Sequence, residues 1–111
     1  MQQITPAQLP AWTASVAEKQ PVLLDVREGW ECQTASVAPK GLHFVHMPMQ
    51  TIPARLDELD KSRPIACLCH HGGRSMQVAA FLVQQGFSHV ANIAGGINAW
   101  SSQVDTSVPT Y

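Results

Sequence analysis

The sequence predicts an open parallel α/β sheet, and three observations carry the prediction. Short apolar runs alternate with amphipathic segments along the chain, the pattern of repeated strand–helix–strand units. Ile65–Leu68 is apolar at every position, as a strand buried on both faces must be. Val22–Val26, an apolar run rich in β-branched residues and bounded by Pro21 and by the charged pair Arg27-Glu28, reads as a second buried strand.

The elements follow in order. Gln2–Ile4 reads as a short first strand. Thr5-Pro6 then offers an N-cap followed by proline at the first helical position. The helix it opens carries Leu9, Trp12, Ala14 and Val16 to about Ala17, with Pro10 disturbing it. Val22–Val26 is the second strand, and a short helix over Gly29–Thr34 comes next. Leu42–Met47 is a strand candidate. Thr51–Leu59 reads as a helix with Ile52, Leu56 and Leu59 on one face. Ile65–Leu68 is the central strand. Ser75–Gln85 places Met76, Ala79, Ala80 and Val83 at helical spacing, and Gly86 stands where a C-terminal cap belongs. Phe87–Ile93 holds the last strand. A short helix opens at Gly95-Gly96 and carries Trp100. The segment 102–111, with Pro109, is expected to be extended.

The 111 residues fit one domain, 1–111, with a core over about 2–101. Apolar residues make up 45% and charged residues 14%, which suits a globular protein. The net charge is −1, and no charge run exceeds two residues, so neither a nucleic-acid footprint nor a polybasic membrane patch is expected. No apolar stretch approaches bilayer length. The first residues lack the basic and apolar regions of a secretory signal. A cytoplasmic monomer is the expectation. Three cysteines, an odd number without a secretory signal, read as free thiols.

In an open parallel sheet, ligands bind beyond the carboxyl ends of the strands. Asp25–Arg27, His46–Pro48, Cys69–Arg74 and Ala94–Gly96 therefore converge on one edge. Cys69 ends a strand and Ser75 begins a helix, with two glycines and an arginine between them. Glycines allow backbone conformations that turn successive N–H groups inward. The first amides of the helix add orphan donors and the positive end of the dipole. Arg74 adds a permanent charge. Such a cradle suits an anion and favours the thiolate, the nucleophilic form of cysteine.

Cys69-His70-His71-Gly72-Gly73-Arg74-Ser75 resembles the Cys-x-x-Gly-x-Arg-Ser/Thr loop of the rhodanese-like sulfurtransferases. Leu24-Asp25-Val26-Arg27-Glu28 resembles their Asp-x-Arg motif after the second strand, and Gly95-Gly96-Ile97-Asn98-Ala99-Trp100 their Gly-Gly-x-x-x-Trp close. Gly86-Phe87 followed by Val90 fits the link between the loop helix and the last strand. The resemblance implies a single rhodanese-like domain with an open five-stranded parallel sheet flanked by helices on both faces. It implies that Cys69 takes a sulfane sulfur from a donor such as thiosulfate, holds it as a persulfide, and passes it to an acceptor. That acceptor is cyanide in an assay and a thiol or sulfur-carrier protein in the cell. No cofactor and no metal enter this scheme. The chain departs from the family where Gly-His-Ile-x-Gly-Ala is usual: Ala35–Gly41 stands in that rim segment.

The remaining residues take their expected roles from position. His70, His71, Gly72, Gly73, Arg74 and Ser75 form the substrate-binding loop, with His70 and His71 at its mouth. Arg74 either binds the anionic donor or braces the loop through a carboxylate. Asp25 and Arg27 support the site as an ion pair. Cys67 is core. Cys32 falls near the rim, where a resolving thiol would sit. Trp12 and Trp100 are packing residues, and Trp30 is rim or core.

Three rival functions share these residues. A cysteine phosphatase or arsenate reductase uses Cys-x5-Arg, but here four residues separate Cys69 from Arg74. A zinc site from Cys67, Cys69, His70 and His71 lacks a second ligand pair of usual spacing. A sulfur-relay module serving a protein partner would keep the chemistry of Cys69 with little small-molecule turnover. The tail Val104-Asp105-x-Ser107-Val108-Pro109 resembles the C-terminal parts of enzymes that activate sulfur-carrier proteins.

Overall fold

The computed structural model describes all residues 1–111. Five strands, β1 (Gln2–Ile4), β2 (Val22–Asp25), β3 (His43–His46), β4 (Ile65–Leu68) and β5 (Val90–Ile93), form one sheet in the order β1-β5-β4-β2-β3. Every pairing is parallel. The helices are α1 (Leu9–Ser15), α2 (Gly29–Thr34), α3 (Ile52–Arg55), α4 (Gly73–Gln84) and α5 (Gly96–Gln103). This is the five-stranded parallel α/β architecture expected.

Alternation along the strands divides the core into two layers, because successive strand side chains point to opposite faces. Val22, Leu24, Ile65, Cys67 and Cys69 join Ile52, Val78, Ala79 and Leu82 on the α3 and α4 side. Leu23, Ala66, Leu68, Ala91 and Ile93 join Leu9, Trp12, Ile97 and Trp100 on the α1 and α5 side. The period of two puts Cys69 on the same face as Cys67, one residue beyond the last residue of β4.

Several boundaries moved for identifiable reasons. Pro10 does not break α1; it lies in its first turn, where a missing N–H costs nothing, and a 3-10 turn over Pro6–Gln8 precedes it. The expected helix over Thr51–Leu59 is instead a four-residue α3 flanked by 3-10 turns at Met49–Thr51 and Leu56–Glu58. Pro53 sits in the first turn of α3 and supplies no amide. α4 starts at Gly73, two residues early, which brings its N-terminus closer to Cys69. Its end follows the expectation: Gly86, at φ 94°, reverses the chain so that Phe87 N–H reaches the Leu82 carbonyl.

The segment after α5 is not extended from residue 102. α5 continues to Gln103, and Asp105 then makes a turn by accepting the Ser107 N–H and hydroxyl. Ser101 Oγ donates to the Val108 carbonyl, and Val108 buries in the α1/α5 layer. The chain is thereby led back across the carboxyl ends of the strands to Tyr111.

Candidate active site

The carboxyl ends of the strands gather the four expected segments through main-chain bonds. Val26 N–H donates to the Leu68 carbonyl, Met47 N–H to Asp25, and Met49 N–H to Val26. His46 Nε2 donates to the Arg27 carbonyl at 2.7 Å. Ile97 and Asn98 N–H donate to the carbonyls of Cys69 and His70 at 2.9 and 3.0 Å. These last two bonds hold the loop's first carbonyls away from the sulfur, so that the Gly72 amide can face it.

Gly96 makes the contact with α5 feasible. A Cβ there would lie 2.5 Å from the carbonyl oxygens of both Cys69 and His70. Gly72, at φ 102°, turns its N–H onto Cys69 Sγ at 3.1 Å. A side chain at that φ would be strained. The two glycines thus explain the spacing of both motifs.

Ser75, at the first turn of α4, places its hydroxyl 3.2 Å from Cys69 Sγ and 2.5 Å from Asn92 Oδ1. One hydroxyl carries one proton, so these contacts compete. The Asn92 amide group donates to the Gly72 carbonyl and to Gln3 Oε1, which fixes its oxygen toward Ser75. Asn92, 2% exposed on β5, was not singled out from the sequence. A polar residue in the run Val90–Ile93 was the available signal.

Arg74 is held by Glu31. Its two terminal nitrogens meet the two carboxylate oxygens at 2.6 and 2.7 Å, a bidentate pair. Glu31 also accepts the Glu28 N–H and the Tyr111 hydroxyl. The Arg74 guanidinium, with these further donors, pulls the Glu31 carboxyl down to about 2. Glu31 and Tyr111 were both absent from the residues expected at the site. Glu31 could have been found as the N3 residue of the helix that follows the Asp-x-Arg motif.

Asp25 and Arg27 form an ion pair at 2.7 Å with side chains 1% and 0% exposed. Arg27 also donates to the Asp25 Oδ1, the Glu31 and Ala35 carbonyls and the Tyr111 hydroxyl. So complete a set of acceptors makes burial of the charge tolerable. Cys32 lies 3.6 Å from Asp25 Oδ2. Burial and the neighbouring Asp25 carboxylate push its thiol up to about 11. A thiol held protonated at neutral pH is a poor nucleophile, which argues against the resolving role. Cys67 is fully buried, and burial pushes its thiol up as well. Trp30 is exposed, and Trp12 and Trp100 are core.

His70 lies face to face with Tyr111 and tilted against His71. Burial lowers the His70 pKa, with His71 adding to the effect. His70 therefore lies partly under the chain's last segment, whereas His71 is exposed and borders the cleft beside the loop. No group of three His, Cys, Asp or Glu side chains is arranged to hold a metal ion.

Beside the loop is a cleft of about 340 Å³ lined by Gln3, His71, Gly72, Met76, Asn92 and Gly95. The rim segment Ser36–Lys40 does not line it. That segment borders a cleft of about 430 Å³ on the α1/α5 side, with Leu9, Trp100 and Val104. No helix is long and apolar enough to cross a membrane.

Fold and loop together define a class: parallel α/β proteins that set a cysteine sulfur between strand and helix against main-chain and hydroxyl donors. Residues 9–103 match the rhodanese-like domain. The chain belongs to the rhodanese-like family, as an enzyme of the sulfurtransferase type. It is 39% identical over 87 residues to a sulfurtransferase of Allochromatium vinosum, with 78% of each protein covered. It is 43% identical over 89 residues, 80% of its length, to the chloroplastic rhodanese-like/PpiC domain-containing protein 12 of Arabidopsis thaliana, but spans only 30% of that protein. A rhodanese-related protein from Thermoplasma volcanium superimposes with a TM-score of 0.77 at 27% identity, covering 94% of both chains.

Proposed function

We propose that Cys69 carries a sulfane sulfur from a small anionic donor, such as thiosulfate, to a thiophilic acceptor. The observation that supports this most is the setting of its sulfur, which faces the Gly72 amide at 3.1 Å and the Ser75 hydroxyl at 3.2 Å. The amide is a donor suited to a sulfur anion, and the hydroxyl becomes a second when its proton turns from Asn92 Oδ1 to the sulfur.

In the first half-reaction the Cys69 thiolate attacks the outer sulfur of thiosulfate. A new S–S bond forms, the old one breaks, and sulfite leaves with the electron pair. In the second, an acceptor thiolate attacks the outer sulfur of the Cys69 persulfide. The acceptor becomes a persulfide, and Cys69 leaves as thiolate. Two half-reactions on one residue give ping-pong kinetics. Gly72 N–H stabilises the anion on Cys69, Ser75 adds its hydroxyl when the proton turns from Asn92, and Gly73 begins the helix whose dipole favours it. Arg74 braces the loop through Glu31, while Asp25 and Arg27 hold the strand ends beneath. The acceptor in the cell is a thiol or a sulfur-carrier protein, and the reducing cytoplasm suits three free cysteines.

Intact-protein mass spectrometry after incubation with thiosulfate tests this. Wild type should gain one sulfur (about 32 Da), lose it to cyanide, and show no gain as Cys69→Ser. Persulfide formation in that variant would sink the proposal.

A further inference from the structure

Cys69 is 1% exposed, so a donor meets its sulfur only when part of the surroundings moves. The far end of the loop is held by the Arg74–Glu31 pair and by the Asn92 bond to the Gly72 carbonyl; its start, at His70, has two anchors of different strength. On one side are the main-chain bonds from Ile97 and Asn98, with Gly96 packed against the same carbonyls. On the other is a single aromatic ring. Tyr111 stacks on His70 with centroids 3.8 Å apart and planes 7° from parallel. Its hydroxyl donates to Glu31 at 2.9 Å and accepts from Arg27 at 3.0 Å. One side chain therefore touches the residue after the nucleophile, the carboxylate that braces Arg74, and the buried arginine.

The segment that delivers this ring is lightly held. Val108 is its last buried residue, and Pro109 and Thr110 are exposed and make no hydrogen bond. Beneath the ring, His70 Nε2 is buried without a partner. An unpaired buried nitrogen is a cost of the closed arrangement, and opening relieves it by giving the ring to water.

We propose that Tyr111 is a positioning residue that latches the sulfur-carrying loop: its ring seats His70, and its release opens the loop and exposes Cys69. The hydroxyl orients the ring; the stack holds the loop. This goes beyond the sulfur-transfer reading, and its readout does not depend on that reading.

The test is labelling of the folded protein with iodoacetamide at one fixed pH, in wild type, Tyr111→Ala and Tyr111→Phe. Rates at Cys69 and Cys67 are separated by fragmentation in the mass spectrometer. Cys67, 0% exposed beneath the loop, reports loosening of the whole sheet. Tyr111→Ala should label Cys69 at least about fivefold faster with Cys67 unchanged, because only the loop opens. Tyr111→Phe keeps the ring and should stay within about twofold of wild type. An unchanged Cys69 rate in Tyr111→Ala would overturn the proposal. So would a parallel rise at Cys67, or a phenylalanine variant that behaves like the alanine one.

Discussion

Arginine at position 74 has its geometry dictated by one carboxylate. A bidentate pair needs a planar fork, which lysine lacks. Arg74→Lys should therefore fail to restore what Arg74→Ala removes, each lowering kcat by about tenfold through a loosened loop. Recovery in the lysine variant would show that charge alone suffices. Glu31 supplies a pH signature for the same bond. Its carboxyl titrates near 2 in the folded protein against 4.5 as an ordinary side chain, chiefly because of Arg74. The stabilisation is complete above about pH 5 and is lost as pH falls from there toward the folded value. Glu31→Gln should cost about 2 kcal/mol at pH 7 by urea unfolding. The gap from wild type should narrow below pH 4.5. A gap independent of pH would mean that the charge is not what matters. The loop's own residues were legible in the sequence because cysteine, glycine and arginine stand close together. Glu31 and Asn92 lie 38 and 23 positions from Cys69 in the sequence. Only the fold brings them to it.

The elements owe their meeting to small residues at the strand ends. Gly96 is where α5 approaches the loop so closely that any side chain would strike main-chain oxygen. Gly96→Ala should destabilise the protein by about 2 kcal/mol or more and abolish sulfur loading. Gly29 begins α2 with open space around it. Gly29→Ala should instead stabilise by about 0.5 kcal/mol, by restricting the unfolded chain. Thermal unfolding of both variants checks the contrast. Strands and α4 could be read from periodicity because each buries a consistent face. The region of α3 misled because its three apolar residues fit a helix that the chain forms for only four residues. The turn after α5 was hidden because Asp105 and Ser107 signal a bend only when Val108 has a cavity to enter.

The whole molecule carries its one fully buried ion pair at the carboxyl ends of the strands. Asp25→Ala strands Arg27 without a counter-charge, at about 3–5 kcal/mol. Against a typical total of about 5–15 kcal/mol, that loss should lower the unfolding midpoint by more than about 10 °C. Circular dichroism on heating would show it, and a midpoint within a few degrees of wild type would refute it. That Asp25 and Arg27 pair was expected from their motif. That Arg27 also reaches Ala35 and Tyr111 was not, since the first is a plain main-chain carbonyl after α2 and the second lies 84 residues along the chain.

The bonds around one sulfur atom reach Gln3 through Asn92, and its brace reaches Tyr111 through Glu31. Segments as far apart as Gln3 and Tyr111 must therefore both be docked before the cysteine can be fully seated. Until then the sulfur lacks its Gly72 and Ser75 contacts, and a partly folded chain does not gather sulfur. In a refolding experiment, regain of sulfur loading should trail the appearance of secondary structure and coincide with the last docking step.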